Sequence, residues 1–325
     1  MVESVDVLFT GSFFPESSRY LQAALPDARI AVADPRNEHA ALPAAPVIVP
    51  LMSRIDAGVM DRVAGLRLIH QWGAGLEGVD IPAATARGIA VANIPTEDSG
   101  NAESVAEWCV MAALALSRGL LHFKERMAAG DGWGSPVGQG LAGRTAGIVG
   151  YGGIGRQLAQ RLLAFGVDVR VVTRSPHRVA SDAPAVSAIA GLDGLGALLA
   201  TADYLFLTLP LTPESRSLIG ADALGRMKPG AFLINAGRGG LVDSDALLAA
   251  LDAGQLAGAA LDVFEQEPLD PASPLIRHPA VLVSPHIAGV TDRFYTHASR
   301  LIARAVTLAR QGAHIPWAAN ASELP

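Results

Sequence analysis

The chain has a single cysteine, Cys109, in 325 residues. One thiol excludes an internal disulfide framework and suits a reducing compartment. Its setting, Glu107-Trp-Cys-Val-Met111, reads as an apolar helix face, which makes it a core residue rather than a nucleophile. Charge is scarce as well. Only 17% of residues are charged, the formal net charge is −6, and no long Lys/Arg block occurs. That balance argues against a surface for duplex nucleic acid. The N-terminus, Met1-Val-Glu-Ser-Val-Asp-Val-Leu-Phe-Thr10, carries two acids and no basic stretch, so it reads as a first strand and not as a secretion signal. The most apolar stretch, Ala197 to Leu211, is interrupted by Asp203 and by Pro210, too short and too polar for a bilayer. One cysteine and widely spaced histidines give no zinc-ligand spacing, so no metal is expected. Tandem repeats and low-complexity tracts are absent too. The composition therefore predicts a soluble, cytoplasmic chain, half of it apolar, long enough for one large α/β domain or two of ordinary size.

Short β-branched runs alternate with longer Ala/Leu segments of helical period, the pattern of parallel α/β folding. Strands are predicted at 6–10, 29–33, 47–51, 68–72 and 89–92, before the turn formers Pro95-Thr-Glu-Asp-Ser-Gly-Asn101 break the pattern. A helix over 102–117 follows, then strands at 145–149, 168–173, 203–209, 231–235, 258–263 and 281–283. Six strands with intervening helices match the doubly wound dinucleotide-binding plan. The expected fold class is α/β with two doubly wound parallel-sheet domains. A Rossmann dinucleotide-binding domain, 102–290, is inserted in a flavodoxin-like substrate domain, 1–101. The last helix, 293–310, either returns to the first domain, bringing 291–325 with it, or caps the second.

Gly150-Tyr-Gly-Gly-Ile-Gly155 joins a predicted strand to the helix-forming Arg156-Gln-Leu-Ala-Gln-Arg-Leu-Leu163. A glycine-rich turn can serve packing alone. In this setting, though, Gly150 permits the tight turn, Gly152 lets the backbone approach a pyrophosphate, and Gly155 allows close helix–strand packing. The helix N-terminus then holds the phosphates. An acid usually ends the next strand and binds the ribose of NAD. Here Thr173 stands in its place, followed by Arg174 and Ser175. Arg174 can bind a 2′-phosphate bidentately, with Ser175 and Arg178 as further donors, or it can be an ordinary surface arginine. The expectation is NADP(H) in preference to NAD(H).

Three later strand ends each present a side chain suited to acid–base work or anion binding. They are Arg238 in Asn235-Ala-Gly-Arg-Gly239, Glu267 in Asp262-Val-Phe-Glu-Gln-Glu-Pro268, and His286 in Ser284-Pro-His-Ile-Ala-Gly289. Ligands of open α/β sheets bind beyond the carboxyl ends of the strands, where folding gathers residues distant in sequence. Each alone could be a surface or structural residue. Together, guanidinium, carboxylate and imidazole beside a nicotinamide are the parts needed to reduce a carbonyl next to a carboxylate.

These motifs, with Gly73-Ala-Gly-Leu-Glu-Gly-Val-Asp80 and Ser104-Val-Ala-Glu107, resemble the D-isomer-specific 2-hydroxyacid dehydrogenase family over nearly the whole chain. The stretch Pro268 to Pro279, together with Thr173-Arg174, is similar to its NADPH-using glyoxylate/hydroxypyruvate reductases. The resemblance implies hydride transfer from NADPH to a short 2-oxo acid. Arg238 would clamp carboxylate and keto oxygen, His286 would donate the proton, and Glu267 would orient the imidazole. It assigns backbone amides of Gly73, Ala74 and Gly75 to the substrate carboxylate. Cofactor contacts would come from Gly150, Gly152, Gly153, Ile154, Gly155, Thr173, Arg174, Ser175, Leu209, Pro210, Asn235, Ala236, Gly237, Asp262, Ala288 and Gly289. Asp262 would meet the nicotinamide ribose or carboxamide. A homodimer is implied, with the helix containing Trp108 and the segment to Trp133 as its interface.

Some residues depart from that pattern. Trp72 is bulky and would narrow the pocket toward small substrates if it faced the site, and the acidic Glu97 and Asp98 have no evident task. The nearest other enzyme is an NAD-linked dehydrogenase of D-lactate or phosphoglycerate type. A phosphoglycerate enzyme is expected to have a more basic first domain, or a regulatory domain for which this chain leaves no room. A dinucleotide-sensing binding protein on the same fold is the alternative of another class; a disordered tail is expected there, and none is seen.

Overall fold

Parallel strands covered on both faces read as unbroken apolar runs. Accordingly β1 (Val7–Thr10) and β3 (Val47–Pro50) are buried at every position. The computed structural model describes residues 4–37, 41–97, 99–131, 133–179 and 186–324. Its chain divides into two units, Met1–Gly100 with Thr291–Pro325, and Asn101–Val290.

In the first unit β2 (Ile30–Ala33), β4 (Leu68–His70) and β5 (Ala90–Ala92) complete a parallel sheet of order β2-β1-β3-β4-β5. That is the flavodoxin-like order. The helix Asp292–Arg310 supplies Phe294, Tyr295, Ala298 and Ile302 to the same core as Val7, Phe9 and Val49. Trp72, 6% exposed, lies there too, with ring centroids 5.9 Å from Phe9 and 5.3 Å from Tyr295. Its indole is core packing.

The second unit holds β6 (Thr145–Val149), β7 (Asp168–Val172), β8 (Ala188–Ala190), β9 (Tyr204–Leu207), β10 (Ala231–Asn235), β11 (Leu256–Leu261) and β12 (Val281–Val283). The parallel order is β8-β7-β6-β9-β10-β11-β12. The sheet therefore has seven strands, not the expected six. The addition is β8, three residues at the edge with Ile189 38% exposed, too short and too open to show an apolar run. With it, the first six strands take the doubly wound dinucleotide-binding order, reversing between β6 and β9.

The helix Asn101–Arg118 packs on the helix Gly153–Ala164, and Trp108 and Cys109 are buried in that core. Trp108 thus faces inward, while Met111 of the same helix is exposed. Burial pushes the Cys109 thiol up, which suits a core residue. Among the described residues, no single helix is long and apolar enough to cross a membrane, and no group of His, Cys, Asp or Glu could hold a metal ion.

Candidate active site

The glycine turn follows β6 at the point where strand order reverses. Gly150 has φ of +99°, and a Cβ there would lie 2.8 Å from the Leu209 nitrogen, so only glycine fits. A Cβ on Gly155 would come within 2.3 Å of the Gly150 carbonyl oxygen, which is how tightly the helix meets the turn. The Thr208 hydroxyl donates to that same oxygen at 2.8 Å. Gly152 caps the helix Gly153–Ala164 without any side-chain bond, and no atom lies within 4 Å of where its Cβ would stand. The first-turn amides at Gly153, Ile154 and Gly155 have no helix carbonyl to bind, which fits a diphosphate at a helix N-terminus.

Beyond β7 the Thr173 amide donates to Ala190 at 3.0 Å. Arg174 is exposed and Ser175 half-buried; the Arg178 side chain lies outside the described residues. Hydrogen bonds from Thr212 and from its own amide, and then the charge of Arg174, hold the Glu214 carboxyl below its ordinary range. Leu209 and Pro210 follow β9 on the far side of the turn, and the Pro210 carbonyl accepts from the Ser215 hydroxyl at 3.0 Å.

At the end of β10 the fully buried Asn235 ties the Arg238 turn. Its Oδ1 accepts from the Gly237 amide at 3.1 Å, and its Nδ2 donates to the Arg238 carbonyl at 2.9 Å. Ala236, 8% exposed, donates to Leu207. The half-buried Arg238 donates from Nη1 to Gly237 at 2.8 Å. A Cβ on Gly239 would sit 1.8 Å from the Phe264 carbonyl carbon, so this glycine lets the turns after β10 and β11 touch backbone to backbone. Within the second of these turns, Glu267 Oε1 accepts from the Phe264 amide at 2.8 Å. Its Oε2 lies 2.7 Å from His286 Nδ1. The two side chains are 16% and 37% exposed, so the contact is shielded but reachable.

His286 itself has φ of +56°, the left-handed region that non-glycine residues avoid. Asp262, 2% exposed, surrounds this turn with acceptors. Oδ1 takes the Ser284 hydroxyl at 2.5 Å and the Ile287 amide at 2.8 Å, Oδ2 takes the Ala288 amide at 2.8 Å, and its carbonyl takes the His286 amide at 2.8 Å. Burial raises the Asp262 carboxyl above its ordinary value, and the donors from Ser284, Ala288 and Ile287 oppose that. Gly289 ends the turn beside Asn101.

In the first unit, the Ile94 amide donates to Gly73 at 2.9 Å and Asn93 Nδ2 donates to Ala74 at 2.6 Å. These bonds occupy carbonyls of the Gly73-Ala74-Gly75 loop; among the described residues its amides have no protein acceptor. Glu97 is exposed and accepts from Thr96, while Asp98 lies outside the described residues.

The structure thus brings Arg238, Glu267 and His286 onto touching turns of one sheet. Ser284, Asn93 and Thr208 were missed by sequence reasoning. Their only signal is position, a short polar residue at the end of a strand, which is common in ordinary turns.

The family model described as D-isomer specific 2-hydroxyacid dehydrogenase, NAD binding domain, matches residues 110–288. Glyoxylate reductase from Thermofilum pendens is 37% identical over 276 residues, covering 83% of this chain and 79% of that protein. D-3-phosphoglycerate dehydrogenase from Mycobacterium bovis is 38% identical over 278 residues, which are 84% of this chain and 51% of that protein. The chain therefore spans about half the length of that relative. A solved D-isomer specific 2-hydroxyacid dehydrogenase from Xanthobacter autotrophicus, in complex with NADPH and MES, is 27% identical with a TM-score of 0.72, covering 99% of this chain and 100% of its own.

Proposed function

The chain belongs to the D-isomer specific 2-hydroxyacid dehydrogenase family, and on that premise we propose that it reduces a short 2-oxo acid, of glyoxylate or hydroxypyruvate type, to the D-2-hydroxy acid using NADPH. The observation that carries this reading is the His286–Glu267 contact of 2.7 Å on the turn packed against that of Arg238. Arg238 binds the substrate carboxylate and keto oxygen and so fixes the carbonyl carbon. When bound, the reduced nicotinamide supplies the hydride. His286 donates a proton from Nε2 to the developing alkoxide and takes it back in the reverse direction. Glu267, on Nδ1, fixes the tautomer and the ring orientation. The open amides of Gly73, Ala74 and Gly75 are assigned to the substrate carboxylate. Asp262 has three of its roughly four acceptor positions filled, which leaves one for a carboxamide donor.

For the cofactor, Thr173 stands where a ribose-binding acid would, and the exposed Arg174 offers a fork for a 2′-phosphate. The NADPH complex of the Xanthobacter relative supports the same assignment. A second reading, an NAD-linked phosphoglycerate-type dehydrogenase, has the mycobacterial relative in its favour. Side-by-side assay of glyoxylate, hydroxypyruvate, pyruvate and phosphohydroxypyruvate with each cofactor separates them. Higher kcat/KM for a short uncharged-tail acid with NADPH is expected; turnover confined to the phosphorylated acid with NADH rejects our assignment.

We assign a second copy of the chain to an apolar groove of about 720 Å³ in the second unit, lined by Met111, Leu114, Leu120, Phe123 and Phe165. Trp133 and Val137, 87% and 96% exposed, are apolar groups of the same unit suited to fill such a groove across a two-fold axis. The reduced, buried Cys109 accords with a cytoplasmic setting.

A further inference from the structure

The proton-donor turn is bent into a backbone region that histidine does not choose. A positive φ of 56° at His286 persists only if its surroundings hold it. Four donors of this turn converge on one residue, Asp262, at the carboxyl end of β11, while the His286 amide also reaches the Ser284 carbonyl at 3.0 Å. Its carboxylate and carbonyl accept the amides of His286, Ile287 and Ala288, which any sequence would provide. The fourth donor is a side chain, the Ser284 hydroxyl, 2.5 Å from Asp262 Oδ1. It reaches back from the residue before Pro285, so it closes the bracket on the N-terminal side of His286. Without it, Oδ1 keeps one amide, and the N-terminal side of the turn is tied to β11 by backbone alone, through the Ser284 amide on Leu261 at 3.0 Å.

We infer that Ser284 is a positioning residue for the reaction: its hydroxyl, given to Asp262, holds the left-handed backbone at His286 and thereby keeps the imidazole on Glu267. The inference rests on the reading of His286 as proton donor. Substrate binding is assigned to other groups, so the effect falls on kcat rather than on KM. A displacement of the imidazole by a fraction of an ångström lowers turnover by about 10- to 100-fold. Threonine keeps the hydroxyl and supports the turn; alanine does not. Cysteine, a weaker donor of similar volume, lies between.

The test uses two readouts on the full chain. One is the exchange-protected, low-field proton resonance of the His286–Glu267 hydrogen bond, identified by its loss in His286→Asn, recorded without cofactor. The other is steady-state kinetics with NADPH and hydroxypyruvate. Ser284→Ala is expected to broaden or lose the resonance and to lower kcat about 10- to 100-fold with KM little changed. Ser284→Thr restores both, and Ser284→Cys gives an intermediate result even if the alanine variant folds poorly. An unaltered resonance and wild-type kcat in Ser284→Ala overturn the inference. Equal loss in Ser284→Thr does the same, because it assigns the effect to space rather than to the hydroxyl. Wild-type protein that shows the resonance, responds to Ser284→Ala and yet turns over no 2-oxo acid supports the bracket and rejects the proposed function instead.

Discussion

His286 Nδ1 and Glu267 Oε2 meet at 2.7 Å across the turns that follow two neighbouring strands, β12 and β11. The carboxylate is held in turn by the Phe264 amide, and the imidazole by the Asp262 bracket around its backbone. A side-chain pair fixed from both ends is the arrangement a proton-transfer group needs, since geometry and tautomer are then set before substrate arrives.

His286→Asn should lower kcat about 10²- to 10⁴-fold while NADPH still quenches intrinsic fluorescence as in the wild type. Glu267→Gln should also lower kcat, because with its amide oxygen on the Phe264 amide its NH2 group faces Nδ1 and can no longer accept from it. Full activity in the histidine variant would contradict the assignment of the proton donor.

Arg174→Ala should raise the KM for NADPH about 10- to 100-fold, the worth of hydrogen bonds to a charged group, and leave that for NADH nearly unchanged. Equal effects on both cofactors would mean that the exposed guanidinium holds something common to the two, and not a 2′-phosphate.

The first unit should weaken in mild acid because of His70. This residue is fully buried at the end of β4, and desolvation lowers its pKa to about 4. Unfolded, it takes up a proton as the pH falls through about 6.5; folded, it stays neutral down to about 4. Between those values the unfolded chain binds more protons, so stability falls as pH falls. The full loss is on the order of 3 kcal/mol. Urea unfolding of the wild type and His70→Leu at about pH 7 and about pH 4.5 checks this. The variant should lose less stability between the two; equal losses would clear His70 of the effect.

A charge placed in the apolar groove should break self-association. Phe123→Asp is expected to shift sedimentation from dimer to monomer with the circular dichroism spectrum retained. A monomeric wild type would remove the groove's proposed occupant.

Much of this architecture is legible in the sequence because parallel strands buried on both faces must be largely apolar, as in the Tyr204–Leu207 strand and the first four residues of Ala231–Asn235. Where a strand is short and lies at the edge, as Ala188–Ala190 does, burial no longer dictates composition and the signal vanishes. Trp72 shows a different limit: a large aromatic after a strand can face the site or the core, and only its packing on Phe9 and Tyr295 decides which. Arg238, Glu267 and His286 stood out because their chemistry is unusual beside glycines and prolines at strand ends. Ser284 did not, since a serine before a proline belongs in any turn, and its task emerges only once Asp262 is seen beneath it.

The most direct test follows one atom. NADPH carrying deuterium at the transferable position is mixed with hydroxypyruvate and the wild-type protein, and the glycerate formed is analysed for label and configuration. The account predicts D-glycerate with deuterium on the carbon that bears the new hydroxyl. Unlabelled product, L-glycerate, or no glycerate at all would contradict it.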